Sequence, residues 1–151
     1  MEDTNATIEA LNDLIMINND RIAGYEKAVV AIEPADTELL LVFDKMIDES
    51  RRIRNALGKE VQVLGGEMAE GSTSTGKIYR AWMAIKATFT GSDSHTILAN
   101  CEAAEAAVQK AYATALEDNQ LPQFLQDMIN EHQQILEDAR DEIKQLRSQL
   151  A

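Results

Sequence analysis

Residues 65–93 read GGEMAEGSTSTGKIYRAWMAIKATFTGSD, and the reading of this stretch decides the fold. On both sides of it apolar residues recur at helical spacing, so it connects two helices. Antiparallel neighbours in a bundle need only about 2–8 residues to join them. This connection is far longer. It opens with the flexible Gly/Ser/Thr run from Glu70 to Gly76. A short amphipathic helix follows over about 76–90, with Ile78, Trp82, Ile85 and Phe89 on one side and Gly91 at its end. The preceding helix would be about 43 Å long at 1.5 Å per residue. An extended stretch plus a three-turn helix covers that distance. The spacing therefore predicts a strap that runs the length of a bundle, its Trp82 face turned inward, and makes helices 2 and 3 parallel.

Working outward, helix 2 is expected over about 36–64. Its seam is Leu39, Phe43, Met46, Ser50, Ile53, Leu57, Val61 and Leu64, and the Gly65-Gly66 pair stops it. Asp36 can cap its first turn, where Glu38 suits the helix dipole. Helix 1, about 5–33, carries Ile8, Leu11, Ile15, Asn18, Ile22, Tyr25 and Val29, and ends at Pro34. So short a link makes helices 1 and 2 antiparallel. Beyond the strap, helix 3 spans about 94–117 through Ile97, Leu98, Cys101, Glu105, Val108 and Tyr112, with many alanines. Helix 4 spans about 121–150, with Pro122 in its first turn and the seam Leu125, Met128, His132, Ile135, Ala139, Ile143 and Leu146. The expectation is one all-α domain over 1–151, a four-helix bundle with a long crossover containing a short helix between helices 2 and 3.

Composition agrees with that class and excludes others. A chain of 151 residues can bury about 70% of its unfolded surface without staples. Its 5% aromatic content, 7 Gly and 2 Pro are low for an all-β design. A formal charge of −12 repels phosphate backbones and anionic lipid, so neither nucleic acid nor a membrane is an expected partner. The basic cluster Arg51, Arg52 and Arg54 is too short to reverse this. The single cysteine, Cys101, lies among apolar helix positions and reads as a small buried hydrophobe. With no signal-peptide core and no apolar run of about 18 residues, the expected location is the cytoplasm.

Four seam positions break the apolar pattern near mid-helix: Asn18, Ser50, Glu105 and His132. Burying such groups is costly unless they are paired or bind something. Glu102 precedes Glu105 by three residues, Glu131 adjoins His132, and Glu26 and Glu49 flank the seams of helices 1 and 2. A di-iron or di-manganese carboxylate site needs inward Glu residues from two helices and Glu-x-x-His from each of the other two. No Glu-x-x-His occurs; the nearest approaches, Glu49-x-x-Arg52 and Glu131-x-x-Gln134, do not end in ligands. Arg52 would instead bring a positive charge able to pair bidentately with Glu105. The first reading is thus a hydrogen-bonded or ionic layer that fixes register. The second is a reduced iron or manganese site built from Glu49, Glu102, Glu105 and His132, and the third a cavity for a small polar molecule. His95, at a helix start, is expected to be exposed. A Gly-rich phosphate loop and a metal-spaced Cys pair are missing from the sequence, and only two histidines are present to act as a base.

The stretches Leu11-Asn-Asp-Leu-Ile15, Asn18-Asn-Asp-Arg21, Gly24-Tyr-Glu-Lys27, Leu64-Gly-Gly-Glu67, Tyr79-Arg-Ala-Trp-Met83 and Cys101-Glu-Ala-Ala-Glu105 resemble a bacterial family. Its members are ferritin-like four-helix-bundle proteins catalogued as a domain of unknown function, near stress-associated ferritin-like relatives. The resemblance runs from about residue 8 to 147. It implies the bundle with its crossover helix and carries no established activity. Compared with ferritin-like relatives that bind two metals, only Glu49 and Glu105 (or Glu102) fall where ligands would lie. Arg52 and Gln134 stand where histidines belong. The resulting expectation is a non-catalytic structural or stress-related interaction protein, with no cofactor and with room for a protein partner or self-association. The alternative is a di-metal oxidase or iron-handling protein with a reduced central site.

Overall fold

The computed structural model describes residues 2–32, 36–70, 94–117 and 121–149. Among these it has four helices and no strand: α1 (Glu2–Ala31), α2 (Thr37–Val63), α3 (Ser94–Leu116) and α4 (Gln123–Gln149). The short helix expected over about 76–90 lies outside the described residues.

Local chemistry sets the ends of α2. Asp36 Oδ1 accepts from the Leu39 N–H at 3.4 Å, satisfying one of the free donors of the first turn. At the other end Gly65 adopts φ +86°, a left-handed conformation that costs a side-chain-bearing residue about 1–2 kcal/mol. Gly66 N–H then reaches back to the Val61 carbonyl at 2.9 Å, closing a six-residue Schellman turn. The chain leaving this turn folds against α1. Asn12 donates to the Glu67 carbonyl at 3.0 Å and accepts from the Ala69 N–H at 2.8 Å. Gly58 admits the Met68 side chain at close range, where a Cβ would collide with its sulfur.

Side-chain pairs fix the directions of the helices. On α1, Asn18 meets Ser50 and Arg21 meets Met46, so α1 and α2 run antiparallel. Asn18 also meets Tyr112, and Arg21 meets Glu105, so α1 and α3 are antiparallel as well. It follows that α2 and α3 point the same way. Gln109 bonds the Gln133 carbonyl and Glu102 pairs with Arg147, which sets α4 antiparallel to α3. Two helical hairpins joined by one long crossover give the arrangement that the length of residues 65–93 predicts.

The apolar interior falls into two clusters. One gathers Leu11, Ile15, Leu57, Val61, Val108 and Leu125; the other gathers Tyr25, Phe43, Met46, Ile97, Leu98 and Ile143. Every expected seam residue of α2 is buried except Leu64, which is half-buried. On α4 the face is turned from the expected one. Ile129 and Leu136 are buried, whereas Met128 is half-buried and Ile135 is exposed. Among the described residues, no helix is long and apolar enough to cross a membrane.

Candidate functional site

Between the two clusters lies a polar layer centred on Arg21, whose side chain is completely buried. Burying a guanidinium without partners would be prohibitive, and this one is fully partnered. Nε donates to Glu105 Oε1 at 2.7 Å and Nη2 to Glu105 Oε2 at 2.8 Å, a bidentate pair. Nη1 donates to the Met46 carbonyl at 3.1 Å and to Ser50 Oγ at 2.9 Å. The remaining Nη2 hydrogen points at the Met46 sulfur, 3.4 Å away. The guanidinium carbon also sits 5.2 Å from the centre of the Tyr25 ring, within cation–π range.

The network continues in one sense. Ser50 donates to Asn18 Oδ1 at 2.9 Å. Asn18 Nδ2 donates to the Leu14 carbonyl at 2.9 Å and to the Tyr112 hydroxyl at 2.8 Å. Because a carbonyl can only accept, the Leu14 contact fixes which way the Asn18 amide points.

Electrostatics follow from this geometry. Burial opposes the charge on Arg21, but Glu105's charge and hydrogen bonds more than offset it and raise the pKa above its ordinary value. Glu49 approaches Arg21 Nη2 to 3.6 Å. Its carboxyl is pushed up by burial, with Arg21 and Lys45 pulling the other way. The Tyr25 hydroxyl is held well above its usual range, first by burial and then by the Glu105 charge. It has no hydrogen-bond partner among the described residues. Cys101, buried and near the same carboxylate, is likewise raised and stays an unreactive thiol, as its apolar setting predicts.

The structure brings together three of the four expected layer residues, Asn18, Ser50 and Glu105, and leaves His132 out. His132 is buried, yet its Nδ1 has no hydrogen-bond partner among the described residues. The α3–α4 pairing explains this. Gln109 lies level with Gln133 and Glu102 reaches Arg147, so Glu105 is level with the part of α4 beyond Leu136, between the two clusters, and His132 sits at least a turn away. The expected Arg52–Glu105 pair is also corrected. Arg52 is exposed and lies 3.7 Å from Asp48, while Arg21 occupies the place assigned to it. Two residues beyond Ser50, Arg52 points about 200° round the helix, away from the interior.

The four candidate metal ligands do not form one donor set. Both oxygens of Glu105 are taken by Arg21, and Glu102 is paired with Arg147 at 3.0 Å. His132 is out of level, and only Glu49 remains near Arg21. Among the described residues no group of three or more His, Cys, Asp or Glu side chains is placed to hold an ion. A guanidinium in the middle of the carboxylates repels a cation there, so these residues do not fit a di-metal centre. A groove of about 320 Å³ lined by Glu26, Val29, Asp44, Ile47, Asp48 and Arg51 includes none of the layer residues.

With this geometry in hand, comparison with known proteins places the chain. Residues 6–118 match the family described as "Domain of unknown function (DUF2383)". No curated protein matches the chain. A solved structure described as that of ferritin like, diiron-carboxylate proteins from Bacillus anthracis str. Ames superposes with a TM-score of 0.69, covering 100% of this chain and 99% of that one. The two sequences are 16% identical, so the likeness establishes a ferritin-like fold and nothing finer.

Proposed function

From the premise that the chain belongs to the DUF2383 family of unknown function, we propose that it is a non-catalytic ferritin-like bundle, a structural or stress-related interaction protein. One observation carries this reading: the bidentate Arg21–Glu105 pair stands at the centre of the bundle, where the layer residues converge. Glu105 cancels the charge of Arg21 and every Arg21 N–H has an acceptor, so the layer ties α1, α2 and α3 together without a ligand. It also offers no activated nucleophile and no general base beside one. A protein partner or a second copy is the mode of action proposed here, in the cytoplasm. The charge of −12 argues against nucleic acid and anionic lipid.

The rival is a reduced iron or manganese site, with oxidation or iron handling as its activity. The diiron-carboxylate description of the structural neighbour, together with the approach of Glu49 and Glu105 to one point, favours it. It requires Glu105 to release Arg21. Purification without chelator followed by metal analysis separates the two. The expected result is iron and manganese far below one equivalent per chain, with ferrous iron oxidised in air no faster than in buffer. Stoichiometric metal that Glu105→Ala abolishes would overturn the proposal.

A further inference from the structure

A buried carboxylate can be tolerated in three ways: it takes up a proton, it meets a fixed cationic side chain, or it binds a metal ion. In this layer the second solution is in force for Glu105 and, more distantly, for Glu49. Around the guanidinium the contacts are nearly all oxygen. They comprise both Glu105 oxygens at 2.7 and 2.8 Å, Ser50 Oγ at 2.9 Å, the Met46 carbonyl at 3.1 Å and Glu49 Oε1 at 3.6 Å, the exception being the Met46 sulfur at 3.4 Å. Two further features stand beside this shell. Glu49 Oε1 is buried and without a hydrogen-bond partner among the described residues, and so is the Tyr25 hydroxyl. A shell of carboxylate, hydroxyl and carbonyl oxygens is the donor chemistry that hard divalent cations prefer.

We propose that Arg21 is a built-in substitute for a divalent cation: it holds the position and the charge that Glu105 and Glu49 would otherwise draw from a metal ion. Removing that side chain turns the layer into an oxygen-donor site for a hard cation such as Mn²⁺. This rests on the functional reading above and deepens it, because it makes one residue responsible for the metal independence of the layer. Truncation at Arg21 leaves two carboxylates without their counter-charge and vacates the volume of a guanidinium, enough for an ion and water. Protonation is the competing response. Cation uptake by the variant is therefore stronger at pH 8 than at pH 6.

The test uses the full chain in three forms: unaltered, Arg21→Ala, and Arg21→Ala combined with Glu49→Gln and Glu105→Gln. Thermal unfolding is followed by circular dichroism with and without millimolar Mn²⁺, and bound Mn²⁺ is counted by electron paramagnetic resonance. The expected result is a midpoint rise of about 5 °C or more for Arg21→Ala, with stoichiometric Mn²⁺, since a ligand that binds only the folded state raises its stability. The unaltered chain and the triple variant are expected not to respond. If Arg21→Ala does not fold unaided, the readout becomes refolding. Recovery of the helical signal with Mn²⁺ supports the inference, and failure to recover with Mn²⁺ overturns it. A folded Arg21→Ala that ignores Mn²⁺, or a triple variant that responds as strongly, also overturns it. Uptake by the unaltered chain that Glu105→Gln abolishes would instead bring down the functional reading, so the two failures are told apart.

Discussion

Arg21 spends all five of its N–H groups inside the bundle, and Glu105 is its one bidentate partner. Such a pair is asymmetric in energy. Replacing both members by apolar residues is often neutral, whereas removing one strands the other. Glu105→Gln is therefore expected to lower stability by about 3–5 kcal/mol, and Arg21→Met with Glu105→Leu to recover most of that loss. Urea midpoints at constant slope measure both. His132 supplies a second expectation. Burial lowers its pKa below the ordinary 6.5, against a smaller opposing pull from Glu131. The unfolded chain thus binds the proton more readily, and stability rises with pH through this window. It is complete above about pH 6.5 and falls away as the pH drops through the lower folded value. His132→Leu should flatten that part of the profile, and an unchanged slope below pH 6.5 would contradict it. At this scale the sequence was only partly legible. Asn18, Ser50 and Glu105 betray themselves by interrupting an apolar seam. Arg21 does not, because Ile22 beside it fills the same seam and an arginine on a long helix reads as surface. The available signal was the demand of Glu105 for a counter-charge, met by an arginine three residues after Asn18 and four before Tyr25.

The helices differ in how firmly their patterns choose a face. On α2 one apolar stripe runs the length of the helix, flanked by Asp44, Lys45, Arg51 and Arg52, and the buried set follows it, leaving Leu41 and Val63 exposed at the two ends. On α4 two neighbouring stripes compete, Met128 with Ile135 and Ile129 with Leu136. They lie about 100° apart, and local pattern has no means of ranking them. Packing against α3 decides. Leu57 and Leu136 are buried at 0% and 1%, while Ile135 is 40% exposed. Leu57→Ala and Leu136→Ala should each cost about 2–5 kcal/mol, and Ile135→Ala well under half of that. Denaturation midpoints that rank Ile135 above Leu136 would show α4 to be rotated from the face described here.

The four described helices, their antiparallel partners and the parallel course of α2 and α3 were all legible from pattern and loop lengths, because a connection of a few residues leaves a helix one place to go and one of 29 residues does not. The level of His132 was not legible, since it depends on how α3 slides along α4. The division of the layer between the hairpins has a consequence for assembly. The α1–α2 half brings the cation, with Ser50 and Asn18 already wired to it; the α3–α4 half brings the anion and the Tyr112 hydroxyl that ends the donor chain. Apart, the α3–α4 half would turn an unmatched carboxylate toward solvent from the middle of an oily surface, and the α1–α2 half a guanidinium left with the more distant Glu49. Only the union of the two cancels both, so the halves act as plug and socket, and docking carries an electrical key as well as a fit of shapes.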